Sequence, residues 1–235
     1  MNSTIAIMQP YLFPYIGYFQ LINSVDKFII YDNIQYTKKG WINRNRILVN
    51  GKDQLFTIPI KKDSDYLEVF ERSVSETLNK EKVKLFNVIK SSYSKAPYFK
   101  EVDTLVKECL SYADLNLFNF LLNSIVKVNS YLNITTPIVV SSSIDIDHSL
   151  KSQNKVLSIC NNQNANTYIN SIGGVDLYDK TVFKNNNIDL KFIKSNSIIY
   201  KQFNNQFVPW LSIIDVMMFN SKEKIQEYLN NYTLI

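Results

Sequence analysis

Three short stretches carry most of the side chains able to bind or transfer a chemical group. The first is Gln9-Pro10-Tyr11-Leu12-Phe13-Pro14-Tyr15-Ile16-Gly17-Tyr18, directly after the apolar run Thr4–Met8. A simple loop is polar. An aromatic loop stiffened by two prolines either plugs a core or forms the wall of a pocket, and pockets are mostly apolar with a few fixed polar groups. Gln9 offers an amide there, and Tyr11, Tyr15 and Tyr18 offer phenols. The second stretch runs from Asp32 to Arg46 and contains Gln35, Tyr36, Trp41, Asn43, Arg44, Asn45 and Arg46. The planar forks of Arg44 and Arg46 suit phosphate or carboxylate. On an extended strand Asn43 and Asn45 share one face and the two arginines the other. The alternative is a solvated, basic strand edge, against which stands the odd choice of Trp41 beside it. Asp32 ends the apolar run KFIIY, a place from which a carboxylate could act as general base.

The third stretch is Ser171-Ile172-Gly173-Gly174. The chain has only five glycines, and glycine is used where φ is positive or a backbone must approach something closely. This pair could present amide N–H groups to an anion, or simply turn the chain. No dinucleotide or P-loop pattern accompanies it. The single histidine, His148, lies in Asp145-Ile146-Asp147-His148 and reads as a surface residue. Cys109 and Cys160 are far apart, without metal-ligand or disulfide spacing. Cys160 reads as a small core residue. No metal site is expected.

These stretches need a frame. Thr4–Met8, a helix over 16–24 and a strand over 27–31 give the order of a parallel βαβ unit, whose ligands sit outside the carboxyl ends of the strands. A hairpin turning at Gly51 follows. Helices are expected over 74–93, 102–112 and 115–132, with Pro97 as a stop after the first. Further strands are expected at 137–140, 167–169 and 189–193, and further helices at 152–160, 181–186, 212–219 and 222–230. The expected architecture is one α/β domain over residues 1–235, mainly parallel and Rossmann-like, with a helical insertion at about 74–132 acting as a cap.

Composition narrows the class. Of 235 residues, 46 % are hydrophobic and 20 % charged, enough for a continuous core and too few charges for a disordered chain. The net charge of +5 comes from scattered lysines, without the basic stripe that nucleic acid requires. A small anionic substrate fits better. The opening MNSTIAIMQP has no basic segment ahead of a long apolar one, and no run of eighteen apolar residues exists, so a cytoplasmic protein that does not enter membranes is expected.

The stretches MQPYLFPYIGYFQLI, FIIYDNIQYTKKGWINRNRI, FTIPI, SICNNQNANTYINSIGGVDLYD and FVPWLSIIDVMMFN resemble the signature segments of the WbqC-like family, and the similarity covers nearly the whole chain. Proteins of that family are encoded in O-antigen and other surface-polysaccharide clusters. The resemblance implies a transferase that modifies a nucleotide-linked amino sugar by N-acyl transfer, with glycyl or another aminoacyl group as one option for the acyl group, from an activated acyl donor and with no firmly implied cofactor. On that view Arg44 or Arg46 holds diphosphate, Tyr11, Tyr15, Tyr36 and Trp41 stack on base or sugar, Asp32 takes the amine proton, and the Gly173-Gly174 amides face the developing oxyanion. A glycosyltransferase or nucleotidyl-transfer enzyme, and a non-catalytic nucleotide-sugar-binding protein, are the competing readings. A looser likeness is to HUP-type nucleotide-binding folds. Their usual His-x-x-His motif is missing here, where Tyr15 and Tyr18 stand instead, so adenylyl transfer does not follow from the likeness.

Overall fold

The computed structural model describes residues 3–235; Met1 and Asn2, part of the stretch read for targeting, lie outside the described residues. The apolar runs fold as strands where the sequence is rich in Ile, Val and Phe, side chains that fit a pleated sheet. These strands are β1 (Thr4–Met8), β2 (Lys27–Ile30), β5 (Ile138–Val140), β6 (Thr167–Ser171) and β7 (Asp189–Ser195). They form a parallel array, which β8 (Tyr232–Leu234) extends antiparallel to β7. The six-stranded order is β5-β2-β1-β6-β7-β8. A separate hairpin pairs β3 (Arg44–Val49) with β4 (Lys52–Thr57). Its turn is Asn50-Gly51, both at positive φ (49° and 75°), the two-residue solution that matches strand twist.

The helices are α1 (Ile16–Asn23), α2 (Leu78–Tyr93), α3 (Phe99–Leu110), α4 (Leu117–Tyr131), α5 (Ser152–Asn162), α6 (Lys180–Asn185), α7 (Ile213–Phe219) and α8 (Lys222–Leu229). Asn116, Asp179, Ser212 and Ser221 accept from backbone N–H groups at the starts of α4, α6, α7 and α8. Helix α2 starts at Leu78, later than expected. The residues before it are drawn into extended pairing instead: the Val74 amide donates to Leu115 O and the Ser75 amide to Pro59 O.

Strand alternation divides the interior into two cores. Ile5, Ile7, Ile29, Tyr168, Leu190 and Phe192 face one side and pack with Val156, Ile159 and Cys160 of α5 and Phe183 of α6. Ala6, Phe28, Ile30, Ile169 and Ile193 face the other, where α1, α7 and α8, the middle helices and the inner face of the hairpin join one larger core. The result is a mixed α/β fold with a central sheet flanked by helices. Among the described residues no helix is long and apolar enough to cross a membrane.

Candidate functional site

From the central strand β1 the chain passes to β2 and β5 on one side, and β6 and β7 later fill the other. The connections therefore diverge at the carboxyl ends of β1 and β6, the place where open α/β sheets leave a crevice. A cleft lies there in two chambers. The larger, about 810 Å³, is lined by Gln9, Asn33, Glu68, His148, Lys155 and Gly173 among others. The smaller, about 270 Å³, is aromatic, with Tyr11, Tyr15, Tyr18, Trp41 and Trp210 in its wall. Met8, Tyr11 and Ser171 belong to both.

The loop after β1 is held in place by the hairpin. The Leu12 amide donates to Ile42 O (3.0 Å), and Asn45 Nδ2 donates to Leu12 O (3.1 Å) and Phe13 O (2.8 Å). Ser212 Oγ adds a second donor to Phe13 O at 2.7 Å. These bonds fix Phe13 at φ 41°, a left-handed conformation that a bulky residue adopts only when its surroundings enforce it. Phe13 then points into the core, fully buried, while Tyr11 and Tyr15 stay in the cleft. Tyr18 is anchored from below, its hydroxyl donating to Gln9 O at 2.9 Å. Burial raises the pKa of Tyr11, Tyr15 and Tyr18, so all three remain phenols that can donate hydrogen bonds.

The second stretch divides as its alternation predicts. Asn43 and Asn45 are buried, with Asn43 donating to Ile58 O (2.8 Å) and accepting from Tyr36 Oη (2.9 Å). Arg44 and Arg46 lie on the other face, their guanidinium carbons 5.7 and 5.2 Å from the Trp41 ring centre. Only Arg46 reaches the cleft, in the wall of the aromatic chamber, where it also pairs with Asp53 at 3.1 Å. Arg44 instead donates to the carbonyls of Lys39 and Gly40 and lines neither chamber. Tyr36 lines neither chamber; Gln35 lines the larger, with its amide on Asp65 O at 2.9 Å.

Asp32 is 2 % exposed and outside both chambers. Its Oδ1 accepts from Ser142 N (2.9 Å) and its Oδ2 from Ser142 Oγ (2.5 Å), which ties the end of β2 to the turn after β5. Ser141 Oγ lies within reach of both Asp32 Oδ1 (3.1 Å) and Asn33 Oδ1, and its one proton serves one of them at a time. Asn33 Nδ2 donates in turn to His148 Nδ1 at 2.9 Å, and His148 Nε2 meets Ile144 O at 3.0 Å. A carbonyl only accepts, so the imidazole proton sits on Nε2, and both ring nitrogens are engaged within the protein. His148 is exposed, as a surface residue should be, and it also forms part of the chamber rim.

The paired glycines follow β6 and open a 3₁₀ turn over Ile172–Leu177. Neither has a positive φ. The reason for Gly174 is close approach: a Cβ there would lie 3.1 Å from Asn170 Oδ1, which accepts from the Ser171 amide at 2.6 Å. Gly173 faces open space and lines the larger chamber together with Gly174 and Ser171.

Sequence reasoning passed over several residues here, Lys155 foremost. It is 4 % exposed and lines the larger chamber. Its ammonium rests 5.0 Å from the Tyr31 ring centre and makes one long hydrogen bond, 3.4 Å, to Asn33 O. No carboxylate among the described residues forms an ion pair with it. Burial lowers its pKa, opposed by the nearby charges of Glu68 and Asp32 and assisted by Lys151. A signal was available: Lys155 stands four residues before Ile159, on the apolar stripe of α5. Glu68 and Asn33 left no such mark, because only the fold brings their segments to the cleft.

Comparison with known proteins agrees with the likeness read from the motifs. The chain is 31 % identical over 230 residues to the uncharacterized protein Rv1507c of Mycobacterium tuberculosis, covering 96 % of each chain. No solved structure matches. The model of the WbqC-like protein family matches residues 9–227, from the glutamine at the end of β1 to the last turns of α8, and the chain belongs to that family.

Proposed function

We propose that the chain is a transferase that acylates the amine of a nucleotide-linked amino sugar, with glycyl or another aminoacyl group as the group transferred. Membership of the WbqC-like family supports a role in sugar- or nucleotide-related biosynthesis and an enzyme in that role. The observation that carries the reading is the two-chambered cleft at the point where the strand connections diverge. The larger chamber has the volume of a small-molecule site and is lined by amides and hydroxyls suited to sugar hydroxyls. The aromatic chamber joins it at Tyr11 and Ser171 and offers flat, mainly apolar walls to the second reactant. The nucleotide-linked sugar occupies the larger chamber with its amine toward that junction, and the acyl donor approaches from the aromatic side.

In the reaction the amine nitrogen attacks the donor's carbonyl carbon. A C–N bond forms, the bond to the carrier breaks, and the amine proton must leave. Asp32, which the sequence suggested for the proton, has both oxygens on Ser142 and acts here as a brace between the end of β2 and the turn after β5. Glu68, half-buried in the chamber wall, is the carboxylate we assign to the amine proton; it also caps the turn over Val69–Glu71 by accepting from the Glu71 amide, which leaves further lone pairs for the substrate. We assign the developing oxyanion to the Gly173 and Gly174 amides, a role supported by the place of both glycines in the chamber wall.

Calorimetric titration of the protein with nucleotide-linked amino sugars, beside the matching sugars without the amine, tests the reading. Binding of the amino sugar, followed by its gain of acyl mass in the presence of an activated aminoacyl donor, is expected. Absence of binding to every nucleotide-linked sugar tried would overturn it.

A further inference from the structure

Helix α5 begins at the larger chamber with its charges arranged against the usual rule. The first turn of a helix carries a partial positive charge and favours acids. This turn has no acidic residue, and Lys151 before it supplies no side-chain cap. Lys155 follows within that turn, buried and without an ion-pair partner. Two lysines and a helix N-terminus thus converge on one wall of a cavity of about 810 Å³. Gln153 does not relieve them, since its Oε1 accepts from the Asp179 amide at 2.7 Å. Charged groups facing Lys155 from the neighbouring elements are Glu68 and Asp32. Asp32 is committed to Ser142, and Glu68 shares the chamber wall without an ion pair among the described residues, its carboxylate accepting from the Glu71 amide. The only contacts of the Lys155 ammonium among the described residues are a long hydrogen bond to Asn33 O (3.4 Å) and the Tyr31 ring face (5.0 Å), which offset little of the cost of burying its charge, and an arriving anion would supply the rest.

We infer that Lys155, Lys151 and the first turn of α5 form an anion subsite for the diphosphate of the substrate. The inference rests on the proposed nucleotide-linked substrate and locates its phosphoryl groups. Phosphate oxygens accept from the exposed amides of the helix start and from the Lys155 ammonium, the arrangement by which helix N-termini hold phosphate. The subsite lies on the α5 side, away from Arg44, whose guanidinium is occupied by backbone carbonyls.

Inorganic pyrophosphate and a nucleoside diphosphate are titrated by calorimetry into the wild-type protein and into Lys155→Met and Ser152→Asp variants, with Lys61→Met as a surface-charge control. Ser152 is an exposed residue of the same turn, at φ 49°, which Asp tolerates. An added carboxylate there should favour the helix start yet repel phosphate, so the variant should melt higher when empty and bind more weakly. Both variants should lose at least about tenfold in affinity for pyrophosphate, the scale of one charge-assisted contact; Lys61→Met should lose none. If Lys155→Met does not fold, Ser152→Asp alone decides. Unchanged pyrophosphate affinity in the folded variants, or no binding to wild type, overturns the subsite. Nucleotide-linked sugars that still bind such variants at full strength would leave the proposed substrate standing. Pyrophosphate binding that depends on Lys155, with nucleotide-linked sugars no tighter than pyrophosphate, would keep the subsite and remove that substrate.

Discussion

Replacing Asn45 with Ala should both destabilise the protein and loosen the aromatic chamber. The Asn45 amide is 6 % exposed and donates to two successive carbonyls, Leu12 O at 3.1 Å and Phe13 O at 2.8 Å. Phe13 O keeps a partner in Ser212 Oγ after the change, whereas Leu12 O, in a fully buried residue, has no second donor among the described residues. Stranding a buried carbonyl costs about 1–3 kcal/mol, and the net loss of the second hydrogen bond about 0.5–1.5 kcal/mol. Phe13, held at φ 41°, adds a strain of about 1–3 kcal/mol that the bonds now balance and that relaxation of the loop would release. The expected loss is therefore about 1.5–4.5 kcal/mol with the loop held in place, and smaller by up to the released strain if the loop relaxes. Urea denaturation of the two proteins measures it as a shift in midpoint at constant slope. Relaxation should also move Tyr15 away from Trp210, now edge-on at 5.9 Å, and change the Trp fluorescence of the folded variant. A loss under about 1 kcal/mol, with fluorescence unchanged, would refute the idea that Asn45 holds the loop.

Asp215, fully buried, accepts from Tyr93 Oη (2.8 Å), Tyr200 Oη (2.6 Å) and Gln202 Nε2 (2.7 Å), so Asp215→Ala should lower stability by about 3–5 kcal/mol in chemical denaturation by stranding these donors. Lys155→Met should raise the stability of the empty protein at neutral pH. Because the folded pKa of Lys155 is depressed, the unfolded chain binds more protons above that pKa, and wild-type stability climbs with pH toward the ordinary lysine value of about 10.4. Melting curves across that range should show the gap to the variant closing. Arg46→Ala should weaken binding of the acyl donor or sugar more than Arg44→Ala, read by titration, since only Arg46 lines a chamber. His148→Ala should reduce acyl transfer by less than about a hundredfold, below the usual loss on removing a general base; a larger fall would make the imidazole the proton acceptor.

The sheet was legible where apolar runs are long. Thr4–Met8 and the run from Lys27 stand out, and both strands form there. Strand β8 was not, because Tyr232–Leu234 is too short to show a period and is fixed by pairing with β7 alone. Ser75-Glu76 resembles a helix start, yet Val74 and Ser75 bond to Leu115 and Pro59, segments distant in the sequence, and the helix waits until Leu78. At the cleft, the alternation of Asn43, Arg44, Asn45 and Arg46 correctly separated buried amides from cations. It could not tell the two arginines apart, since Arg44 is captured by carbonyls that the preceding turn happens to present. Asp32 was correctly placed at a strand end, but its partners lie more than a hundred residues away in the chain and were invisible from its own neighbourhood.

The short strand β8 also protects the molecule from itself. It covers the β7 edge, and the pairing extends to Ile235, whose amide and carbonyl exchange hydrogen bonds with Phe192 at 3.0 and 2.8 Å. An open edge of apolar strand residues such as Phe192 and Ile193 is a template for pairing between molecules. At the opposite edge β5 is only three residues long and offers little to copy. A chain cut after Leu229 would uncover β7, so it should form β-rich aggregates at concentrations where the intact protein stays dispersed, even with the cleft left whole.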